Sequence, residues 1–276
     1  MCRLLALASL KPNESLIKEI VGAFVESSRR DPYFERISGG KLSAHDDGWG
    51  FVALGLFRGK PTLAFHRSIE PIFYENSKSV IDLLVKKVSK YDSLYLLLHS
   101  RKGSPGEPYG LDYTHPFMRI GERCVGWFAH NGGANKEELA KKLGVNPWIR
   151  VDSELLGYYL LDNVFTCVES GGNVDECVKR AYEDAVHYVV EESALNTVLL
   201  LLVDSQIHLY TTHYTRNVES DERKQYFATI AYEGEGFSLA GSITIKEYLT
   251  PRGKIRYLEP GVYRVEPSGV IKISSL

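Results

Sequence analysis

"MCRLLALAS" (Met1–Ser9) sets a cysteine directly behind the initiator methionine, at the head of an apolar run. One reading is a buried strand that happens to start with a small residue. The other is a strand that carries a nucleophile at the end of the chain. Aminopeptidases remove an initiator methionine when the next residue is small, and cysteine is small. Removal leaves a thiol and a free α-amine on the same residue. An α-amine titrates near about 7.7–8.0 and a thiol near about 8.5. The amine therefore takes the thiol proton directly, or through one water, without a separate histidine base.

The rest of the chain has the composition of a globular protein. Its 276 residues suit one large domain or two small ones, and the 44% hydrophobic and 25% charged content is ordinary. We read residues 1–276 as a single domain. A net charge of −2 gives no electrostatic reason to expect nucleic acid or an anionic membrane surface. No apolar stretch approaches the length of a membrane span. "LLALASL" (Leu4–Leu10) is at the lower limit for the core of a signal peptide and leads into an amphipathic helix, so it is read as strand. Cys2, Cys124, Cys167 and Cys177 form no CxxC pair, which argues against metal knuckles and thioredoxin-like motifs. Cys167 and Cys177 are close enough in sequence to pair across two helices, but buried free thiols are the plainer reading. A reducing cytoplasm fits that reading.

Periodicity places the elements. Residues 2–8 read as a buried strand. A helix follows Pro12 and Asn13, its apolar stripe formed by Leu16, Ile17, Ile20, Val21, Phe24 and Val25. Residues 30–48 read as loop, 49–57 as strand and 62–66 as its return. Ile81, Leu84, Val85 and Val88 line a second helix. "SLYLLLHS" (93–100) is apolar on both faces, hence a strand covered on both sides. The long loop "RKGSPGEPYGLDYTHP" (101–116) has the length of a functional one. "CVGWFAHNGG" (124–133) is a strand ending in a glycine pair. Helices are expected at about 153–168 and 174–190, then strands at 196–204, 206–212, 225–232 and in the tail "GVYRVEPSGVIKIS" (261–274). Strands, then helices, then strands favour a layered α+β fold.

Four stretches add chemistry to Cys2. "HSRKGSPG" (99–106) puts Arg101 just past a buried strand, where its guanidinium can hold a carboxylate by two parallel bonds. "THPF" (114–117) sets His115 beside a proline. "HNGG" (130–133) brings the Asn131 amide and the Gly132 N–H to one strand end, as an oxyanion hole requires. "VDSELLG" (151–157) opens a helix with Asp152, which either caps it or binds an ammonium. Taken singly, Arg101 also reads as a surface ion pair, and His99, His115 and His130 as satisfied core histidines. Together they supply a nucleophile, a carboxylate clamp, an ammonium acceptor and an oxyanion hole. That set suits cleavage of the side-chain amide of a free α-amino acid.

The sequence resembles the class II glutamine amidotransferases, of the N-terminal-nucleophile (Ntn) hydrolase superfamily. The resemblance rests on Cys2 behind Met1, "DGWGF" (47–51), "HSRKGSPG", "THP", "HNG" and "DSE" (152–154), in family order over roughly the first 160 residues. It implies a four-layer αββα sandwich with two packed antiparallel sheets. It further implies glutamine hydrolysis through a γ-glutamyl thioester on Cys2. Arg101 would bind the glutamine α-carboxylate, Asp152 its α-ammonium, and Asn131 with Gly132 the oxyanion. Ser104 would help orient the carboxylate, and His115 would organise the site from behind. The chemistry needs no cofactor and no metal.

Two positions depart from a common family pattern: Lys102 stands where many members have an aromatic residue, and Pro105 where many have histidine. The chain resembles short, stand-alone members, so the ammonia acceptor is expected on a separate synthase polypeptide or bound over the same cleft. Three other readings are carried. One is an Ntn amidohydrolase cutting a different γ-glutamyl amide; another is a non-catalytic subunit that keeps the fold. The third, a metal hydrolase at His45, Asp46 and Asp47, suffers because three consecutive residues do not easily face one ion.

Overall fold

The long strands of this chain are apolar on both faces, and the two faces have different neighbours. The computed structural model describes residues 2–250 and 253–276; Met1, on which the processing argument turns, lies outside them. The strands are β1 (Arg3–Leu10), β2 (Trp49–Phe57), β3 (Lys60–Ser68), β4 (Ser93–Ser100), β5 (Phe117–Ile120), β6 (Cys124–Gly132), β7 (Ser193–Val203), β8 (Gln206–His213), the short β9 (Thr215–Arg216), β10 (Thr229–Gly234), β11 (Phe237–Ser242), β12 (Lys254–Tyr257), β13 (Gly261–Glu266) and β14 (Gly269–Ser274). They form two antiparallel sheets. One runs β12-β10-β11-β1-β4-β2-β3 and the other β14-β13-β8-β7-β6-β5, with β9 paired to β7 off that path.

Strand alternation builds the four layers. On β1, Leu5 and Leu7 face the helices α1 (Glu14–Arg29) and, after the short α2 (Pro32–Ile37), α3 (Glu75–Val88). Leu4, Ala6 and Ala8 face the opposite sheet, where they meet Trp127, Ala129, Val198 and Leu200. On β7, Leu195, Leu199 and Leu201 turn outward to α4 (Lys136–Leu143), α5 (Asp152–Glu169) and α6 (Val174–Ala185). The order is therefore helices, sheet, sheet, helices, the expected αββα sandwich.

Register then brings the functional strand ends together. β1 and β4 are antiparallel with Arg3 opposite Ser100, so the head of β1 lies beside the tail of β4. β2 also starts there, with Trp49 opposite Ser100.

Several sequence expectations are corrected. Residues 30–48 are not all loop, because Asp31 caps α2 through Tyr33 and Phe34 N–H groups at 3.0 and 3.2 Å, with Pro32 in its first turn. Helix α4, capped by Asn135 and ended by left-handed Gly144, was not anticipated. The expected strand at 225–232 begins only at Thr229: Gln225–Phe227 close α7 (Asp221–Phe227), capped by Ser220. The second long helix stops at Ala185 and passes into a 3-10 turn.

Cys167 and Cys177 are not free thiols but a disulfide that ties the end of α5 to the first turn of α6. Gly172 permits the approach, since a Cβ there would sit 2.6 Å from the Cys177 sulfur and 2.8 Å from that of Cys167. Alkylation of the denatured, unreduced protein is therefore expected to mark Cys2 and Cys124 alone, and all four cysteines after reduction. Intact mass reads the difference, and four alkyl groups without reductant would contradict the bridge.

Candidate active site

A cleft opens where these ends meet, lined by Cys2, Arg101, Ser104, His115, Gly132 and Asp152 together with Lys102, Gly103, Glu107, His130, Val151 and Ser153. Six of the seven residues singled out from sequence thus share one cavity. The seventh, Asn131, touches it through Cys2: the Cys2 backbone nitrogen donates to Asn131 Oδ1 at 2.9 Å. Cys2 leads directly into β1 of the first sheet and Asn131 lies in β6 of the second, so this bond ties the two sheets together at the cleft.

Arg101 is 5% exposed, and its Nη2 donates to the Pro108 carbonyl at 2.9 Å. Among the described residues no carboxylate lies within ion-pair distance of it, so it is not the ion pair that its type suggests. Buried guanidinium groups without an anion are rare, and this one lines a cavity. Its loop is tied to the head of β2: Arg101 N–H donates to Gly48 O at 2.8 Å, Asp47 N–H to Arg101 O at 2.9 Å, and Gly103 N–H to Asp47 Oδ2 at 2.8 Å. Lys102, the departure from the family pattern, serves the same end through Asp46 at 2.6 Å and Asp47 at 3.3 Å. Glu107 bridges to Lys136 at 3.1 Å, joining this loop to the segment that follows the HNGG strand end. His45, Asp46 and Asp47 thus turn to different partners, Asp31 for the first and Lys102 for the other two.

Asp152 is the first residue of α5, behind the cap residue Val151. Its Oδ2 accepts from Ala134 N–H at 2.9 Å and its Oδ1 from Ser153 N–H at 2.6 Å, which fixes the carboxylate at the cleft wall. Gly132 has no room for a side chain, because a Cβ would fall 1.8 Å from the Ala194 carbonyl oxygen. His130 is a satisfied core histidine, with Nδ1 on Ser153 Oγ at 3.0 Å and Nε2 on Ala194 O at 3.1 Å. His115 is not satisfied in this way: among the described residues neither of its ring nitrogens has a hydrogen-bond partner, and its ring packs against that of His99 with centroids 4.0 Å apart and planes tilted by 35°. Burial pushes both well below the ordinary histidine range, helped by the Arg101 charge.

The profile of the class-II glutamine amidotransferases matches residues 1–233. The chain belongs to that family. Two solved structures share the fold. Glutamine phosphoribosylpyrophosphate amidotransferase from B. subtilis, complexed with ADP and GMP, superposes with a TM-score of 0.56 at 12% identity, over 99% of this chain and 49% of its own. The structure described as the allosteric regulatory enzyme of purine biosynthesis does so with 0.58 at 13%, over 98% and 49%. The chain therefore spans about half the length of either. A predicted glutamine amidotransferase from Pseudomonas aeruginosa PA01 aligns over 98% of this chain and 95% of its own, at 14% identity and a TM-score of 0.44. No curated protein matches significantly.

Sequence reasoning missed the charged cluster beneath this cleft. Arg3, fully buried, donates through Nε to Asp31 Oδ2 at 2.6 Å and through Nη2 to the same oxygen. Its Nη1 donates to the Cys2 carbonyl at 3.1 Å, and its guanidinium stacks 4.2 Å over the Tyr226 ring. Asp31 also accepts from Thr244 Oγ1 at 2.9 Å and contacts His45 Nε2 at 2.9 Å. The available signal was Arg3 itself, a charge inside an apolar strand that demands a partner.

Burial alone would raise the Asp31 carboxyl, but the Arg3 charge and the His45 contact overcome it and hold it below the ordinary carboxylate range. Burial lowers His45 to about 4. Asp31→Ala strands a buried guanidinium and is expected to cost about 3–5 kcal/mol of stability in urea unfolding; an unchanged midpoint would contradict the cluster's role. A second expectation concerns pH. His45 and His213, both lowered from 6.5 to about 4 by burial, fold neutral and must charge on unfolding. Their stabilisation is complete above about 6.5 and declines as pH falls toward 4. The urea midpoint should drop across that window, and a flat profile would count against neutral buried imidazoles.

Proposed function

We propose that the chain hydrolyses the side-chain amide of glutamine through a γ-glutamyl thioester on Cys2 and releases ammonia to an acceptor. The observation that carries this reading is Arg101, a buried guanidinium with no ion-pair partner among the described residues, in a cleft that also holds Cys2 and a fixed Asp152. The guanidinium takes the α-carboxylate of a free amino acid, with the Ser104 hydroxyl beside it, and Asp152 takes the α-ammonium. Reading both ends of the amino-acid head leaves the side-chain amide directed at the thiol. His115 organises the wall behind.

With Met1 removed, the Cys2 nitrogen is an amine and accepts the thiol proton. The sulfur adds to the amide carbon, and the oxygen takes the negative charge. The Asn131 side-chain amide and the Gly132 N–H stabilise that charge; Asn131 Oδ1 is already engaged by the Cys2 nitrogen, which turns the amide's NH₂ into the available donor. Collapse breaks the C–N bond, and the ammonium form of Cys2 gives its proton to the leaving nitrogen. Water then cleaves the thioester, giving glutamate and the thiol. The amine and thiol provide the acid–base and nucleophilic steps, so the reading calls on no metal or cofactor.

The acceptor is bound at a synthase or over the cleft itself. We read residues 1–276 as one domain, since β13 and β14 extend the second sheet beside β8. A cytoplasmic setting belongs to the proposal on the ground of its substrate, the Cys167–Cys177 bridge having removed the argument from free thiols.

A glutamine-analogue electrophile is expected to add once, on the N-terminal peptide starting at Cys2, with protection by excess glutamine and no addition to Cys2→Ser. Arg101→Ala should lower kcat/KM by about 10²-fold or more, given roughly 1.5–3 kcal/mol per charge-assisted bond. Labelling at Cys124, or none, would overturn the nucleophile. Faster cleavage of a larger γ-glutamyl amide than of glutamine would instead shift the substrate to that amide.

A further inference from the structure

β3 is the last strand of the first sheet and β5 the last of the second. Both lie on one flank of the sandwich, where Arg67 Nη1 donates at 3.2 Å to the Thr114 carbonyl, just ahead of β5. Register shows which side chains point between the sheets. Leu63 and Phe65 stand opposite Leu54 and Val52, and Met118 and Ile120 opposite Trp127 and Val125. Val52, Leu54 and Trp127 belong to the buried core between the sheets. The four flank residues share that orientation, yet each is between 42% and 70% exposed. Inward-facing apolar side chains left open along a sheet edge mark an interaction surface.

The backbone of β3 selects the partner. Arg58 and Gly59, both at positive φ (52° and 70°), make the two-residue turn between β2 and β3. Such a turn is closed by a hydrogen-bonded pair, here Phe57 and Lys60. Alternation then directs the even-numbered residues of β3 to β2 and the odd-numbered ones to the free edge. Along that edge Leu63, Phe65 and Arg67 offer N–H groups, while Pro61 offers only its carbonyl. Among the described residues β3 pairs with β2 alone. A second β3, laid antiparallel about a two-fold axis at Ala64, matches this set. Leu63 N–H meets the Phe65 carbonyl of the second copy, Phe65 N–H its Leu63 carbonyl, and Arg67 N–H its Pro61 carbonyl. Every edge donor finds an acceptor, and the N–H that Pro61 lacks falls at the end of the ladder. On the inner face Leu63 lies against Phe65 in both directions. Past the strand ends the same register carries Arg58 toward Glu70 of the second copy, and no like charges stand directly opposite. The strand carries little that would turn such a partner away. It pairs residue for residue from Lys60 to Ser68, and Arg67, its one inward-facing charge, is turned to Thr114.

We propose that the chain forms a two-fold dimer through β3, joining the first sheets of two copies edge to edge, with Met118 and Ile120 of each copy closing the apolar flank from the second sheet. Sedimentation equilibrium of the full-length protein is expected to give the mass of two chains at low micromolar concentration. Phe65→Lys sets a charge in the apolar row. Leu63→Pro removes an edge donor and leaves the bonds to β2 in place. Each should weaken the dimer by about 10²-fold, because a two-fold interface carries every change twice, with the circular dichroism spectrum unchanged. Ala64→Cys reads the register itself. Ala64 stands opposite its own copy in a non-hydrogen-bonded pair, with Cα atoms about 4.5 Å apart, within reach of a disulfide. Mild oxidation should yield a covalent dimer bridged at position 64, whereas Thr62→Cys, opposite His66, should yield none. A monomer throughout the micromolar range overturns the proposal. So does a dimer that survives both Phe65→Lys and Leu63→Pro, or one cross-linked through Thr62→Cys and not through Ala64→Cys.

Discussion

The place of Cys2 depends on a charged pair sealed from solvent. The Arg3 guanidinium and the Asp31 carboxylate are fully buried, and one guanidinium nitrogen reaches back to the Cys2 carbonyl. Burying two charges is expensive, and their attraction offsets that cost only where geometry is good and the remaining polar atoms find partners. Here they do. Asp31 caps α2, accepts from Thr244 and meets His45, while Arg3 lies over Tyr226. The residue at the head of β1 is thereby fixed at its carbonyl from within the first sheet and at its nitrogen by Asn131 from the second. A chain terminus would otherwise be among the loosest parts of a fold.

The same register delivers the other groups. Because β1 and β4 are antiparallel with Arg3 opposite Ser100, Arg101 must emerge next to Cys2. Because β2 starts opposite Ser100, Asp47 and Gly48 are there to tie the Arg101 loop. The tail of β6 supplies Asn131 and Gly132 from the facing sheet, and Ala134 N–H holds the carboxylate that opens α5. Motifs scattered over 150 residues of sequence converge because each sits at the end of an element, and those ends share one rim of the sandwich.

That is also why so much of the site was legible. Short polar motifs at the ends of apolar runs are visible in one sequence, and Trp49–Phe57 and Ser93–Ser100 have the strand limits that their composition indicated. What stayed hidden needed distance information. Asp31 lies in a polar stretch 28 residues from Arg3, and nothing local pairs them. Gln225, Tyr226 and Phe227 favour a strand by side-chain type, yet the Ser220 cap and the acidic pair behind it start a helix. The Cys167–Cys177 bridge depends on the backbone path past Gly172, which spacing alone does not give. His115 has the sequence setting of a core histidine, and only the missing partners at its ring nitrogens set it apart from His130.

The account stands on an amine that exists only after the first residue is gone. The most direct measurement prepares the same protein in two forms, one retaining Met1 and one beginning at Cys2 as confirmed by intact mass, and follows ammonia release from glutamine. The account predicts that activity tracks the fraction of chains beginning at Cys2 and vanishes in the capped form. Equal rates from the two forms would contradict it.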